Sequence, residues 1–208
     1  MIILPFDPTS NVISVMNHRF PIHHPANREL LRAQHSTWWW MYTWASGILL
    51  AQELAELTEQ TTILEIGCGL GLASAVASRL GHTITCTDIV EETEWYVNLT
   101  AQSSETTAPV WKKVSDIGGT FNMIIFSDVL YANFRNPMPF LEMLLTHLAP
   151  NGTILCVEPH RPEVLSQVLP LLGEVGLEVV SSTYLYRPIG SDGPWEEYAY
   201  VKLQIQRK

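Results

Sequence analysis

Apolar and polar positions follow two periods along the chain, and these periods separate predicted strands from predicted helices. From residue 40 to residue 57 the apolar residues recur at helical spacing, whereas residues 61–66 form a short β-rich apolar run. Predicted strands and predicted helices then alternate along the rest of the chain. The predicted strands are 61–66, 82–88, 109–116, 121–128 and 153–158, and the predicted helices are 40–57, 70–80, 91–102, 136–148 and 161–175. Strands that alternate with such helices form right-handed βαβ units around a parallel sheet.

The end of the chain breaks this alternation. Residues 177–187 and 196–207 are both strand-like, and the sequence PIGSDGPW joins them without a helix. Two strands joined without a crossover helix pair antiparallel, so a terminal hairpin should lie at the edge of the sheet. The predicted fold class is α/β, a Rossmann-like three-layer sandwich with a mostly parallel seven-stranded sheet and a C-terminal antiparallel hairpin.

The length of 208 residues and the apolar content of 47% fit one folded domain with a substantial core. We predict a single domain over residues 1–208, in which residues 1–39 are an N-terminal extension packed on the rest. Within that extension, residues 11–20, NVISVMNHRF, have the composition of a strand.

The chain is acidic, with 21 acidic against 12 basic residues and a net charge of -9. This balance gives no support for binding to nucleic acid or to an anionic membrane, and it suits a cationic partner. The most membrane-like segment, WWWMYTWASGILLA at 38–51, is shorter than the ~20 residues that a span needs. We therefore expect no nucleic-acid and no membrane partner, whereas the oligomeric state is left open.

The three cysteines, Cys68, Cys86 and Cys156, form no CxxC motif and lie in apolar or glycine-rich stretches. Reduced thiols of this kind are typical of a cytoplasmic protein, and the N-terminus has no basic and apolar pattern of a secretory signal. The histidines His18, His23, His24 and His35 lack zinc-ligand spacing. We expect a cytoplasmic protein without a metal site.

The strongest local motif is LEIGCGLG at residues 64–71, which follows a predicted strand and opens a predicted helix. Glycines in this position let the backbone turn tightly and bring its N–H groups against a ligand. Asp88 ends the next strand, 21 residues after Gly67, where an acid can hold ribose hydroxyls. The alternatives are a plain strand-to-helix turn for the glycines and a helix cap for Asp88.

The motif favours a cofactor without phosphate. A dinucleotide fingerprint, GxGxxG, would need glycine where this chain has Leu72, and the carboxylate of Glu65 would crowd a pyrophosphate. S-adenosylmethionine (SAM) carries an ammonium, a sulfonium and a ribose, so it would tolerate Glu65. A nicotinamide oxidoreductase is the less favoured interpretation.

These residues resemble a known family. EIGCGLG, Asp88, the strand order and the terminal hairpin resemble the seven-β-strand SAM-dependent methyltransferases. Within that superfamily, SDVLY at 127–131 resembles the DxxY motif of the methyltransferase-like group, which includes protein-lysine and other nitrogen methyltransferases. The Trp-containing stretch 42–56 resembles the helix that precedes the glycine loop in that group. The resemblance covers residues 40–205.

The resemblance implies a set of residues around SAM and its product S-adenosylhomocysteine. They are Trp44, Glu65, Gly67, Cys68, Gly69, Gly71, Asp88, Ile89, Asp116, Ile117 and Ser127. Glu65 and the glycines would line the methionine end, Asp88 would hold the ribose, and Ile89 would flank the adenine. Asp116 and Ile117 would lie at the adenine edge, although family members often carry Asp-Trp there.

The resemblance also places Asp128 and Tyr131 beside the methyl group and the target nitrogen, as the catalytic pair. The implied reaction is methylation of a nitrogen, most simply a protein lysine, with Asp128 holding the amine and Tyr131 giving an aromatic wall. Packing of Tyr131 and a loop cap by Asp128 are the structural alternatives. The functional alternatives are a small-molecule N-methyltransferase and a non-catalytic SAM-binding regulatory subunit.

Other residues are candidates for the substrate side of this site. Glu158 and His160 follow the fifth predicted strand at the same edge, where Glu158 can meet a cation and His160 can accept a proton. The run Trp38–Trp40 is expected to line an entrance or an interface, or else to pack under the extension. Phe134 and Trp195 are further candidates for the rim of the site.

Overall fold

The computed structural model describes residues 8–34, 36–133, 135–186 and 199–208. Nine strands occur in these ranges. They are β1 (Pro8–Val15), β2 (His18–Pro25), β3 (Thr62–Ile66), β4 (Thr83–Thr87), β5 (Val110–Lys112), β6 (Phe121–Ser127), β7 (Leu148–Pro159), β8 (Leu177–Tyr186) and β9 (Ala199–Arg207). The α-helices there are α1 (Arg28–Gln34), α2 (Ala45–Ala55), α3 (Leu72–Arg79), α4 (Thr93–Ser103), α5 (Leu130–Asn133), α6 (Met138–His147) and α7 (Pro162–Val168).

Seven of the strands form one sheet in the order β5-β4-β3-β6-β7-β9-β8. Neighbouring strands from β5 to β7 are parallel, whereas β9 pairs antiparallel with both β7 and β8. The predicted fold class, including the mostly parallel sheet and its C-terminal hairpin, is thereby confirmed.

The central strands are buried on both faces, which explains their nearly continuous apolar runs. Successive residues point to opposite faces, so Ile63 joins the core under α2 and α3, whereas Leu64 joins the core under α6 and α7. On the first face the sheet meets Leu50 and Leu54 of α2, and on the second it meets Leu144 of α6. These two layers cover both faces of the sheet, and a cavity lies at its carboxyl edge.

The structure corrects several predicted boundaries. Residues 11–20 are not one strand but the turn region of the β1–β2 hairpin, with Met16 at a φ of 52°. The helix predicted from residue 40 begins at Ala45, because Trp39–Met41 form a separate 3-10 turn and Trp44 is extended. The helix predicted over 161–175 is α7 followed by a 3-10 segment, since Pro170 has no N–H to continue α-helical bonding.

The β1–β2 hairpin packs on the helical layer beside the cavity. Val15, Phe20 and Ile22 belong to the same buried cluster as Ile48 of α2. His23 is tied to α4, because its ring Nε2 lies 2.8 Å from the hydroxyl of Ser103. The hairpin therefore braces α2 and α4 from the outside.

Candidate functional site

A cavity of about 790 Å³ lies at the carboxyl ends of β3, β4 and β6. Its size falls within the roughly 300–1,000 Å³ of small-molecule sites. Among the segments that line it are four that directly follow or precede a strand or helix of the core. They are the glycine loop 66–71, residues 87–90 after β4, residues 127–129 after β6, and the aromatic stretch 39–44 before α2.

The glycine loop makes the sharp turn that its sequence predicts. Gly67, Gly69 and Gly71 have φ values of 72°, 48° and 81°, in the left-handed region that glycine adopts without strain. A Cβ atom on Gly67 would lie 2.8 Å from a methyl of Val129. The backbone N–H of Gly67 donates to the Thr87 carbonyl over 2.9 Å, which ties the loop to the end of β4.

We expect Gly71→Ala to lower the free energy of unfolding by about 1–3 kcal/mol. The added Cβ would meet the Val97 Cα at 3.1 Å and would hold a φ of 81°. Chemical denaturation followed by circular dichroism measures this change. Gly118→Ala is the matched control, since no heavy atom lies within 4 Å of its added Cβ. Equal unfolding free energies for both variants would contradict the steric argument.

Glu65 is a buried carboxyl on the wall of the cavity. Burial raises its pKa to about 7. The hydroxyl of Ser74 donates a hydrogen bond to Oε2, and this bond partly opposes the rise in pKa. The negative charge of Asp88 adds to the rise. Glu65 therefore changes its charge near neutral pH, in a place that a cationic ligand can reach.

Asp88 borders the cavity and organises the two loops around it. Its Oδ2 accepts the N–H of Gly69 and its Oδ1 accepts the N–H of Val90, each over 3.0 Å. Burial raises the pKa of this carboxyl, although those backbone bonds oppose the rise. Helix α4 starts only at Thr93 after Glu92, so the alternative that Asp88 caps that helix is wrong.

Asp128 and Tyr131 both line the cavity, on the side away from β4. The Arg161 guanidinium, from the segment after β7, lies 2.7 Å from Oδ1 of Asp128. The same guanidinium carbon lies 5.5 Å from the centre of the Tyr131 ring, in a cation–π contact. Sequence patterns alone did not identify Arg161, although it directly follows the candidate residue His160.

Glu158 does not line the cavity, so the expectation that it meets a cationic substrate is not supported. Its side chain is buried, and Oε1 accepts the N–H of Val129 over 2.9 Å. The Leu130 N–H also points to this carboxylate, which thus satisfies the free donors at the start of α5. Burial raises the pKa of Glu158, and the charge of Asp128 raises it further. His160 lies outside the cavity wall, with its ring against Tyr184.

Asp116 and Ile117 are the two predicted cofactor residues that the structure does not bring to the cavity. β5 ends at Lys112, and the 3-10 turn Val114–Asp116 follows it. This turn leaves Asp116 exposed. It places Ile117 in the core between the sheet and the helices α6 and α7. Val114 lines the cavity in their place. The other nine predicted cofactor residues all lie on the wall; they are Trp44, Glu65, Gly67, Cys68, Gly69, Gly71, Asp88, Ile89 and Ser127.

The tryptophan run divides between the cavity and the packing around it. Trp39 and Trp40 line the cavity, and the Trp39 ring lies 6.0 Å from the Tyr131 ring. The indole N–H of Trp44 donates to the Trp39 carbonyl over 2.8 Å. Trp38 does not line the cavity; its ring packs edge-on against that of Tyr42, behind the wall residues. The rim candidates Phe134 and Trp195 lie outside the described residues.

Two further classes of site have no support among the described residues. In those ranges no helix is long and apolar enough to cross a membrane. Over the same residues, no three side chains of His, Cys, Asp or Glu come together as a metal ion would require.

The chain resembles known methyltransferases in sequence and in fold. The family described as "Methyltransferase domain" matches residues 40–185. The protein-lysine methyltransferase METTL21E of Bos taurus is 29% identical over 133 residues, which cover 54% of this chain and 44% of that protein. The chain spans about half the length of such curated relatives.

Two solved structures share the fold. The ribosomal protein L11 methylase of Lactobacillus delbrueckii subsp. bulgaricus superposes with a TM-score of 0.61 at 19% identity, over 76% of this chain and 77% of that one. The magnesium protoporphyrin IX methyltransferase of Synechocystis, solved with bound S-adenosylhomocysteine, gives 0.59 at 15% identity, over 77% and 80%. The chain therefore belongs to the methyltransferase domain family, with SAM as its cofactor, and its resemblance to the methyltransferase-like group is confirmed.

Proposed function

We propose that this protein transfers a methyl group from SAM to a nitrogen, and that the nitrogen belongs to a protein lysine side chain. The observation that carries the proposal is that Asp128, Tyr131 and Trp39 all line the cavity, with the Trp39 and Tyr131 rings 6.0 Å apart; these residues form its proposed acceptor end. The carboxylate of Asp128 can accept a hydrogen bond from an amine, and the aromatic rings can enclose the alkyl chain that carries it. The relative METTL21E, which is named a protein-lysine methyltransferase, supports the same substrate class.

In this proposal SAM binds to the part of the cavity wall that follows β3 and β4. Glu65 and the glycine loop would take the methionine end, and Asp88 would hold the ribose. Ile89, with an exposed fraction of 75%, stands at the mouth where an adenine ring would cover it. The N–H groups of the loop and the polar side chains match a ligand that has an amino-acid end and a ribose but no phosphate.

Methyl transfer is an in-line displacement at carbon. The lone pair of the neutral amine forms the new N–C bond, while the C–S bond breaks and its electron pair returns to sulfur. The products are S-adenosylhomocysteine and a methylated ammonium, which then loses its proton to solvent. The protein contributes by aligning the three atoms and by excluding water, so a covalent protein nucleophile has no part in this scheme.

Transfer from tritiated SAM to the proteins of a cell lysate tests the proposal. We expect tritium in the protein fraction, recovered as methyllysine after acid hydrolysis. The Asp128→Asn variant is the matched control and should leave that fraction unlabelled. Label only in small molecules would overturn the protein substrate, and label in nucleic acid would overturn both the nitrogen of lysine and the expected absence of a nucleic-acid partner.

A further inference from the structure

The acceptor end of the cavity holds a fixed cation beside its carboxylate. Arg161 lines the cavity, and its Nη1 lies 2.7 Å from Oδ1 of Asp128. The side chain of Asp128 is 11% exposed and that of Arg161 is 27% exposed, so water screens the pair only partly. The carboxylate that would face the substrate is therefore already neutralised by a group of the protein.

Four contacts besides the ion pair fix the position of Arg161. Its guanidinium carbon lies 5.5 Å from the centre of the Tyr131 ring. Its backbone N–H donates to the carbonyl of Pro159 over 2.7 Å. Its carbonyl accepts the N–H groups of Val164 and Leu165, each over 3.0 Å, where α7 begins. Arg161 is thus a built part of the wall.

Other charges face this pair from the neighbouring elements. Glu158 of β7 lies behind it, Glu163 of α7 borders the cavity, and Asp88 and Glu65 stand on the cofactor side. Burial and the charge of Asp128 raise the pKa of Tyr131, and burial also raises that of Glu158. Among the described residues that line the cavity, Arg161 is the cation beside these acids.

A substrate amine has two forms, and only one of them can react. An alkyl ammonium would bring a second positive charge beside Arg161. Two like charges at close range in a partly buried site repel each other, so binding of the ammonium form is disfavoured. The neutral amine avoids this repulsion and still donates a hydrogen bond to the carboxylate of Asp128. It is also the form with the lone pair that methyl transfer needs.

We propose that Arg161 determines specificity for the uncharged form of the substrate amine by neutralising Asp128 at the acceptor end of the cavity. This inference rests on the proposed function, since it takes the acceptor to be an amine. Arg161 acts through Asp128 and through the local field, so it is a positioning residue. Its loss should change which protonation state binds, and a purely structural role would leave that state unchanged.

Calorimetry with n-butylamine tests the inference without knowledge of the natural substrate. The protein is saturated with S-adenosylhomocysteine, and binding is measured at pH 8 in buffers that differ in ionisation enthalpy. The free probe is then almost fully protonated, because its pKa lies close to the ~10.4 of lysine. The buffer dependence of the heat gives the number of protons released per probe bound.

For the wild type we expect the release of about one proton per probe, and an affinity that rises about tenfold per pH unit between pH 7 and 9. Arg161→Met should bind the ammonium form instead. It should release almost no proton, lose the rise with pH, and bind at pH 8 about tenfold or more tightly than the wild type. Arg161→Lys keeps a cation and should behave like the wild type.

Two controls separate this result from misfolding. The exposed Arg19→Met on β2 should match the wild type, and each Arg161 variant should bind S-adenosylhomocysteine as the wild type does. Equal proton release by wild type and Arg161→Met would overturn the role of Arg161 while leaving the proposed function intact. Failure of n-butylamine to bind any of the proteins would overturn both the inference and the amine acceptor.

Discussion

Asp128→Asn should reduce methyl transfer by about 10²-fold or more, the loss seen when one preorganised polar group is removed from a reacting centre. Asp128 lines the acceptor end of the cavity and pairs with Arg161 over 2.7 Å. Its φ of 51° lies in the left-handed region, which asparagine tolerates better than alanine does. The substitution therefore removes the negative charge and keeps the turn.

The measurement compares the initial rate of tritium transfer from SAM with the affinity for S-adenosylhomocysteine. We expect the rate to collapse and the affinity to stay near that of the wild type. Asp116→Asn is the matched control, since Asp116 is exposed outside the cavity and should keep both values. An undiminished rate in Asp128→Asn would remove Asp128 from the reaction, and a parallel loss of affinity would assign it to the cofactor instead.

The parts of the site that the sequence predicted are those whose geometry is local. The glycine loop and Asp88 each follow the end of a strand, and the carboxyl ends of parallel strands meet at one edge of a sheet. Periodicity located β3, β4 and β6, so the residues directly after them could be placed. All of the predicted cofactor-binding and catalytic residues at or shortly after the ends of these three strands line the cavity.

The parts that the sequence did not predict depend on packing between distant segments. Arg161 reaches Asp128 across 33 residues, because β6 and β7 are neighbours in the sheet. Glu158 is the last acid of β7, and the pattern could not tell whether its side chain faces the cavity or the turn that leads into α5. Ile117 was misplaced because β5 has only three residues and a 3-10 turn redirects the chain after it.

The charge of Glu65 should control how cofactor affinity depends on pH near neutrality. Burial raises the pKa of this carboxyl to about 7. Below that pH it is protonated and neutral, and above it the group is ionised. The raised pKa in the folded state means that the apo protein gains stability from protonated Glu65 at acid pH, and loses that gain as the pH rises through about 7.

Cofactor binding should show the opposite trend, because the ammonium of S-adenosylhomocysteine favours an ionised Glu65. Below pH 7 each binding event must first release the proton, so the affinity should rise about tenfold from pH 5.5 to 7. Glu65→Gln should bind more weakly at pH 7, with a flatter pH dependence, since its amide keeps the shape of the neutral acid. The exposed Glu56→Gln is the matched control and should follow the wild type. Calorimetry at four pH values measures the affinity for S-adenosylhomocysteine. If the affinity of wild type and Glu65→Gln changed equally with pH, another group would control the binding, such as Asp88 with its own raised pKa.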